Sequence, residues 1–293
     1  MTRTTTLTTA RTPVPEDLLP TPEEVEEYRR TGFHVSRAIV PDAVLDAAER
    51  GMARVHAGDL DTPRPGTTAW DHQDWLAGHE QGPGLRKTDY TSLMVRELAG
   101  LVRYPAVAAV AARLAGADGI RLWHDQLLWK PPGLSDGSGN VGWHTDRQYW
   151  ESCTSTEMLT AWVPFHDCDA TTGSITFVEG SHTWEQEGLS FFDHDLDSLE
   201  RRFAADGRTV VKVTPPLRRG QVTFHHCRTV HGSGPNRSQA PRRSMAIHLQ
   251  PADNRCAVRP DGSVEYHRNN ELVRALDGVP DYADPVFCPP LFP

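Results

Sequence analysis

His144 and Asp146 flank a single threonine, and 85 residues after Asp146 a further histidine, His231, sits in Thr229-Val230-His231-Gly232-Ser233-Gly234-Pro235-Asn236. Arg242 follows eleven residues after His231. Two imidazoles and one carboxylate on one face of a metal leave its other positions open, which suits non-haem iron(II). A keto acid and then dioxygen can bind there side by side. The keto acid that matches these residues is 2-oxoglutarate. It chelates through its C1 carboxylate and C2 ketone, and its distal carboxylate needs a cation of planar, bidentate geometry, which arginine offers better than lysine.

The chain has 14 histidines, so a later histidine alone says little. The context of His231 and the arginine beyond it carry the specificity. His225 and His226 precede His231 and are read as supporting groups, not ligands; His124, His166, His182 and His248 are read in the same way. A cupin-type metal enzyme would bind metal without needing Arg242 or 2-oxoglutarate, and that alternative stays open on these residues. A non-catalytic binding protein should have lost a ligand, and none is lost.

The elements that must position these groups are legible in outline. Residues 1–20 are rich in Thr and Pro and read as a disordered tail. Thr21 then reads as an N-cap, with Pro22 at the first helical position, Glu24 closing a capping box and Gly32 stopping the helix. Phe33-His34-Val35 reads as a short strand. Pro41 opens a second helix whose Val44, Leu45, Ala48 and Met52 recur at helical spacing. Residues 57–86 read as a long binding loop or lid carrying Trp70 and Trp75. Helices are expected over 91–99 and 105–115.

After Gly119 the texture changes to short β-rich runs at 120–130, 158–165, 174–179, 209–214, 221–226 and 243–249. These predict an antiparallel sandwich or barrel, mainly β with flanking α-helices. With no internal repeat and no clean linker, residues 21–293 read as a single domain. Strand residues i and i+2 share a face. His144 and Asp146 are therefore expected to point one way from a strand, with Thr145 excluded. Met245 and Ile247 suit packing against helices, so parity sends Arg242 and Ser244 inward and Arg243 outward with them.

Bulk properties narrow the partners. A net charge of -9 with no basic block argues against nucleic acid and against an anionic membrane surface. No run of eighteen apolar residues and no apolar signal core occur, so no transmembrane segment is expected. Five cysteines without a Cys-x-x-Cys pair suit reduced thiols in a cytoplasm. The lysines are only Lys87, Lys130 and Lys212 against many arginines, a usage associated with GC-rich bacteria. The expected partner is a small molecule, and the expected assembly a monomer or homodimer.

At this point the residues resemble the phytanoyl-CoA dioxygenase family of iron(II)/2-oxoglutarate oxygenases. The resemblance runs from Val25-Glu26-Glu27-Tyr28-Arg29-Arg30-Thr31-Gly32-Phe33 to Asp284-Pro285-Val286-Phe287. Its strongest pieces are Lys130-Pro131-Pro132, Trp143-His144-Thr145-Asp146, Thr160-Ala161-Trp162-Val163-Pro164, Gly173-Ser174-Ile175-Thr176-Phe177-Val178-Glu179-Gly180-Ser181-His182 and His231-Gly232-Ser233-Gly234-Pro235-Asn236. It implies a double-stranded β-helix (a jelly roll, cupin-like). It implies iron(II) held by His144, Asp146 and His231, with 2-oxoglutarate and dioxygen as co-substrates. It implies that Arg242, helped by Ser233, holds the distal carboxylate, that Trp162 lines the co-substrate pocket, and that Gln126 and Lys87 face the co-substrate.

Two departures refine the expectation. Ectoine hydroxylases carry an aromatic and acidic signature where this chain has Arg147-Gln148-Tyr149-Trp150-Glu151, which argues against ectoine. Related halogenases replace the carboxylate by Gly or Ala; Asp146 is present, so hydroxylation or another oxidation is favoured. Candidate substrate contacts are Trp70, Trp75, Tyr90, Gln148, Tyr149, Trp150, Trp184, Phe191 and Phe192. They are aromatic with some polar groups and suit a compact metabolite, as in a tailoring step of natural-product biosynthesis. An acyl-CoA or amino-acid-type hydroxylase is the alternative within the family.

Overall fold

The computed structural model describes residues 13–62, 84–133, 139–185, 189, 191, 199, 201, 203 and 207–293. Helix α1 (Pro22–Thr31) starts as its sequence demands: Thr21 Oγ accepts from the Glu24 amide at 3.3 Å and Glu24 Oε2 accepts from the Thr21 amide at 2.8 Å. It ends at Gly32, whose φ of 84° lies in the left-handed region that glycine tolerates. Strand β1 (Phe33–Val35) and helix α2 (Asp42–Ala57) follow. The helix expected over 91–99 is split into a 3-10 turn at Thr91–Leu93 and α3 (Arg96–Val102). The split falls where Asp125 captures the Thr91 hydroxyl at 2.8 Å and the Ser92 hydroxyl at 2.6 Å. Helix α4 (Pro105–Ala115) is close to its expected bounds.

The disordered tail expected over 1–20 does not include residues 14–19. Residues 1–12 lie outside the described residues, but Glu16–Leu18 form a 3-10 turn, and Val14, Leu18 and Leu19 pack on the main core. Apolar side chains at 14, 18 and 19 have somewhere to bury, which a reading of local composition misses.

Two antiparallel sheets make the β-core. The larger contains β1, β2 (Arg86–Asp89), β3 (Ile120–Lys130), β5 (Leu159–Pro164), β8 (Thr223–His226), β10 (Arg242–Pro251) and the C-terminal Pro290–Phe292. The smaller contains β4 (Val141–His144), β6 (Thr176–Val178), β7 (Lys212–Val213) and β9 (His231–Ser233), in the order β4-β9-β6-β7. This is a jelly-roll arrangement. The segment expected to be loop, 57–86, runs from the end of α2 to the start of β2; its residues 63–83, with Trp70 and Trp75, lie outside the described residues.

Alternation along β10 sorts its side chains. Met245, Ile247 and Leu249 join Leu127, Ala161, Val163 and Phe224 in one core with the helices. Full burial of each large apolar side chain contributes about 1.5–3 kcal/mol. Arg242, Ser244, Ala246 and His248 therefore face the other way, into the space between the sheets. Cross-strand register sets Arg242 opposite Lys130, Ala246 opposite Gln126 and Trp162, and His248 opposite His124 and Thr160. The register shifts between His248 and Leu249, which skips Trp123. The bulge lets Leu122 and Ile120 rejoin the helix-facing core while Trp123 packs with Trp150 and Tyr282.

The stretch Arg96–Ala115 would reach bilayer-spanning length and apolarity by composition. It is broken between α3 and α4, where Pro105 opens the second helix, and 61% of its most apolar window is buried against the protein. It is the core helix pair of a globular fold.

Candidate metal and keto-acid site

The three candidate metal ligands come from two neighbouring strands and a turn. β4 and β9 pair so that His144 and His231 are directly opposite, and their ring centroids lie 4.1 Å apart. Strand β4 ends at His144; Asp146 is the first residue of a 3-10 turn, Asp146–Tyr149. The expectation that strand parity aims Asp146 is therefore replaced. Thr145 caps the turn, with its amide donating to Gln148 Oε1 at 3.3 Å, and the turn swings the Asp146 carboxylate back under the two rings. The ligand atoms of His144, Asp146 and His231 all lie within 4.8 Å of one another and are buried.

Hydrogen bonds fix which atoms face the centre. His144 Nδ1 is 2.8 Å from the Gly142 carbonyl and His231 Nδ1 is 2.9 Å from the Thr229 carbonyl. A carbonyl only accepts, so both Nδ1 atoms carry the proton and both Nε2 atoms present lone pairs. These stand 3.9 and 3.8 Å from Asp146 Oδ1. A first-row ion makes bonds of about 2.0–2.2 Å to such atoms, so one ion can bridge either pair. The donor set therefore fits a divalent transition metal. Burial pushes both imidazoles down toward the neutral form that a metal requires. Burial opposes ionisation of Asp146, but the imidazoles around it outweigh that and hold its carboxyl well below the usual range.

The other oxygen of Asp146 is held from behind. Thr160 Oγ donates to Oδ2 at 2.5 Å and is itself 2.7 Å from His248 Nδ1. His225 Nε2 lies 3.3 Å from the same oxygen, close enough for attraction but poorly aligned for a hydrogen bond. His225 and His248 thus stand behind the Asp146 carboxylate. Thr160 was missed, although its place two residues before Trp162 on one strand face could have marked it. His226 turns away toward Glu157, His166 accepts from the Arg243 amide, and His182 contacts the Arg29 carbonyl.

Behind the triad lies an inner chamber of about 50 Å³ whose lining includes Gln126, Thr160, Trp162, His225, Ser233, Arg242 and the triad itself. Arg242 is 2% exposed. Its Nη1 donates to the Gly173 carbonyl at 2.7 Å, its guanidinium lies 5.3 Å from the Trp162 ring centroid, and its Nε has no partner among the described residues. Ser244 Oγ on the same face is also buried and, among the described residues, unpartnered. Burial lowers the Arg242 pKa only to about 10, so the group stays cationic. A buried cation with an unsatisfied donor fits a carboxylate arriving from the chamber. Arg243, one residue on, is bound to Glu49 of α2 at 3.2 Å, as parity required.

In front of the triad opens a wider cavity of about 390 Å³. Tyr90, Gln126, Gln148, Tyr149, Trp150 and Phe191 all line it. Tyr90 and Trp150 are buried wall, Tyr149 is 41% exposed at the mouth, and the Gln148 amide is engaged by Thr145 and the Leu189 carbonyl. Lys87 lines this outer cavity and not the inner chamber; its ammonium is 3.2 Å from both Asp89 oxygens. Trp184 lines a neighbouring cleft. Trp75 and Phe192 lie outside the described residues.

A jelly roll that gathers two imidazoles, one carboxylate and a buried arginine around one chamber defines a class, the facial-triad metal oxygenases. Residues 28–244 match the sequence profile of phytanoyl-CoA dioxygenase (PhyH), and the chain belongs to that family. It is 28% identical over 174 residues to a probable alpha-ketoglutarate-dependent hypophosphite dioxygenase of Stutzerimonas stutzeri, covering 58% of each chain. It is 22% identical over 244 residues to the human peroxisomal phytanoyl-CoA dioxygenase, covering 79% of this chain and 68% of that one. The chain thus spans only about half to two thirds of the length of such relatives.

Among solved structures it resembles the non-haem alpha-ketoglutarate-dependent epimerase SnoN from nogalamycin biosynthesis, with a TM-score of 0.61 and 27% identity over 82% of this chain and 84% of that one. EctD from S. alaskensis, solved with 2-oxoglutarate and 5-hydroxyectoine, gives 0.63 at 19% identity, covering 87% and 86%, a likeness of fold alone.

Proposed function

We propose that this protein is an iron(II)- and 2-oxoglutarate-dependent oxygenase that oxidises a compact small-molecule metabolite, in a tailoring step of bacterial natural-product biosynthesis. The observation that carries this reading is the convergence of His144 Nε2, His231 Nε2 and Asp146 Oδ1 at the mouth of a chamber whose inner end holds the buried Arg242. His144, Asp146 and His231 would hold the metal. Arg242 and Ser233 would hold the distal carboxylate, with Trp162 forming the wall beside the guanidinium. Iron(II) with 2-oxoglutarate and dioxygen supplies oxidative decarboxylation of the keto acid to succinate and carbon dioxide, coupled to oxidation of a substrate C–H bond.

The rest falls to the protein. Thr160 fixes one oxygen of Asp146 by a hydrogen bond, so the other is free for the metal. Tyr90 and Trp150 form a rigid, largely dry wall that orients substrate. Support for a compact metabolite comes from the outer cavity: Lys87 and Arg268 stand there beside Asp89, Glu151 and Glu265. That mixture offers little to the phosphates of an acyl-CoA. Support for the tailoring role comes from the likeness to SnoN. The test is to add iron(II) and 2-oxoglutarate without oxygen and record the visible spectrum. A charge-transfer band is expected, with succinate released on admitting air. No band and no succinate would sink the proposal in favour of a metal enzyme that does not use 2-oxoglutarate.

A further inference from the structure

Lys130 is fully buried on β3, directly opposite Arg242 on β10. Among the described residues neither cation pairs with a carboxylate. Burial, then the nearby Arg242 charge, push the Lys130 ammonium well below the ordinary lysine value. A buried lysine without a counter-ion is costly, and a methionine would fill similar space without that cost. The ammonium spends its hydrogens in one place: it donates to Ser233 Oγ at 2.6 Å and to the Gly234 carbonyl at 2.6 Å, with the Ser233 carbonyl at 3.4 Å. Ser233 lies two residues after His231 on β9 and lines the inner chamber with Arg242. A hydroxyl oxygen that accepts from an ammonium keeps its own hydrogen free to donate.

We infer that Lys130 is a positioning residue of the keto-acid site. It holds Ser233 Oγ as an acceptor so that the hydroxyl donates to the distal carboxylate. With Arg242, that hydroxyl donor makes the inner end of the chamber select a 2-oxo diacid over a 2-oxo monoacid. This rests on the 2-oxoglutarate reading above. The step is binding alone; no bond to Lys130 forms.

The experiment compares binding of 2-oxoglutarate and of pyruvate, which lacks the distal carboxylate, to protein loaded with manganese(II), by calorimetric titration. Lys130→Met is expected to weaken 2-oxoglutarate about tenfold or more and to leave pyruvate within about twofold, the range of a lost charge-assisted contact. Ser233→Ala should shift binding the same way. The double variant should be no weaker than the worse single one, because the two groups act as a unit. Equal weakening of both acids, or no change for either, would make Lys130 a structural peg of the 233–236 turn and overturn the inference. Should Lys130→Met fail to fold, Ser233→Ala decides: unchanged preference for the diacid overturns the inference. Wild-type protein that binds no 2-oxoglutarate would instead reject the functional proposal.

Discussion

Arg242 and Arg243 share a peptide bond and nothing else. The first is buried among chamber residues with an unpartnered Nε; the second reaches Glu49 on the helix side of the sheet. Arg242→Ala removes a buried charge-assisted contact of about 1.5–3 kcal/mol, so the KM for 2-oxoglutarate should rise roughly 10- to 100-fold. Arg243→Ala loses a partly exposed ion pair, which costs under about 1 kcal/mol of stability, and should leave that KM unchanged. Steady-state kinetics on the two variants check both, and the reverse pattern would overturn the assignment of strand faces. This distinction was legible in the sequence because Met245 and Ile247 are apolar at odd positions. Lys130 was not: its neighbours Pro131 and Pro132 marked a motif, but only register across β3 and β10 sets its ammonium beside Ser233.

At the scale of elements, the site depends on how closely β9 lies against β4. A Cβ on Gly232 would come within 2.8 Å of the Val141 carbonyl oxygen and 3.2 Å of the Trp143 ring. The first contact is backbone and cannot swing aside, so the glycine is required by close approach. Gly232→Ala should therefore push β9 outward, moving His231 away from His144 and Asp146. A loss of metal affinity of about tenfold or more is expected, comparable to removing an outer-shell support, measurable by competition with a chelating dye. Gly100→Ala is the control, since nothing lies within 4 Å of its added Cβ within α3. It should raise stability by about 0.5–1 kcal/mol and leave metal binding unchanged. The Gly232-Ser233-Gly234-Pro235-Asn236 run reads as a turn from sequence, whereas the structure carries β9 through Ser233. Turn-forming residues and a close-packed short strand call for the same small side chains.

For the whole molecule, the walls of the two cavities bury several imidazoles in the neutral form. Burial lowers the His248 pKa to about 4 and pushes His124 well below its ordinary value, with like-charge repulsion from His248 as the next cause for His124. Above pH about 6.5, folded and unfolded chains both carry these rings neutral. Below that, the unfolded chain takes up protons that the folded chain refuses, so stability falls as pH falls toward about 4. Each such histidine contributes a slope of up to about 1.4 kcal/mol per pH unit in that window. Urea midpoints measured on metal-free protein should drop between pH 7 and pH 5, and less so in a His124→Phe variant. An unchanged midpoint across that range would mean that the imidazoles are already charged in the fold.

Local chemistry wrote much of this protein into its sequence. The Thr21–Glu24 box and Gly32 set α1 because capping needs only near neighbours. Alternation along 242–249 assigned the two faces of β10 because side-chain direction on a strand follows from backbone geometry. Residue types with their spacing and local context marked His144, Asp146, His231 and Arg242 as candidates. Tertiary structure decided the rest. Asp146 reaches the rings by a capped turn instead of a strand, and the bulge at Trp123 ends the parity of β3. Lys87 lies in the outer cavity, and Thr160, His225 and Lys130 support groups distant in sequence. These outcomes depend on register between strands scores of residues apart. Register is set by how all the side chains of two sheets pack together, which no window along the chain contains.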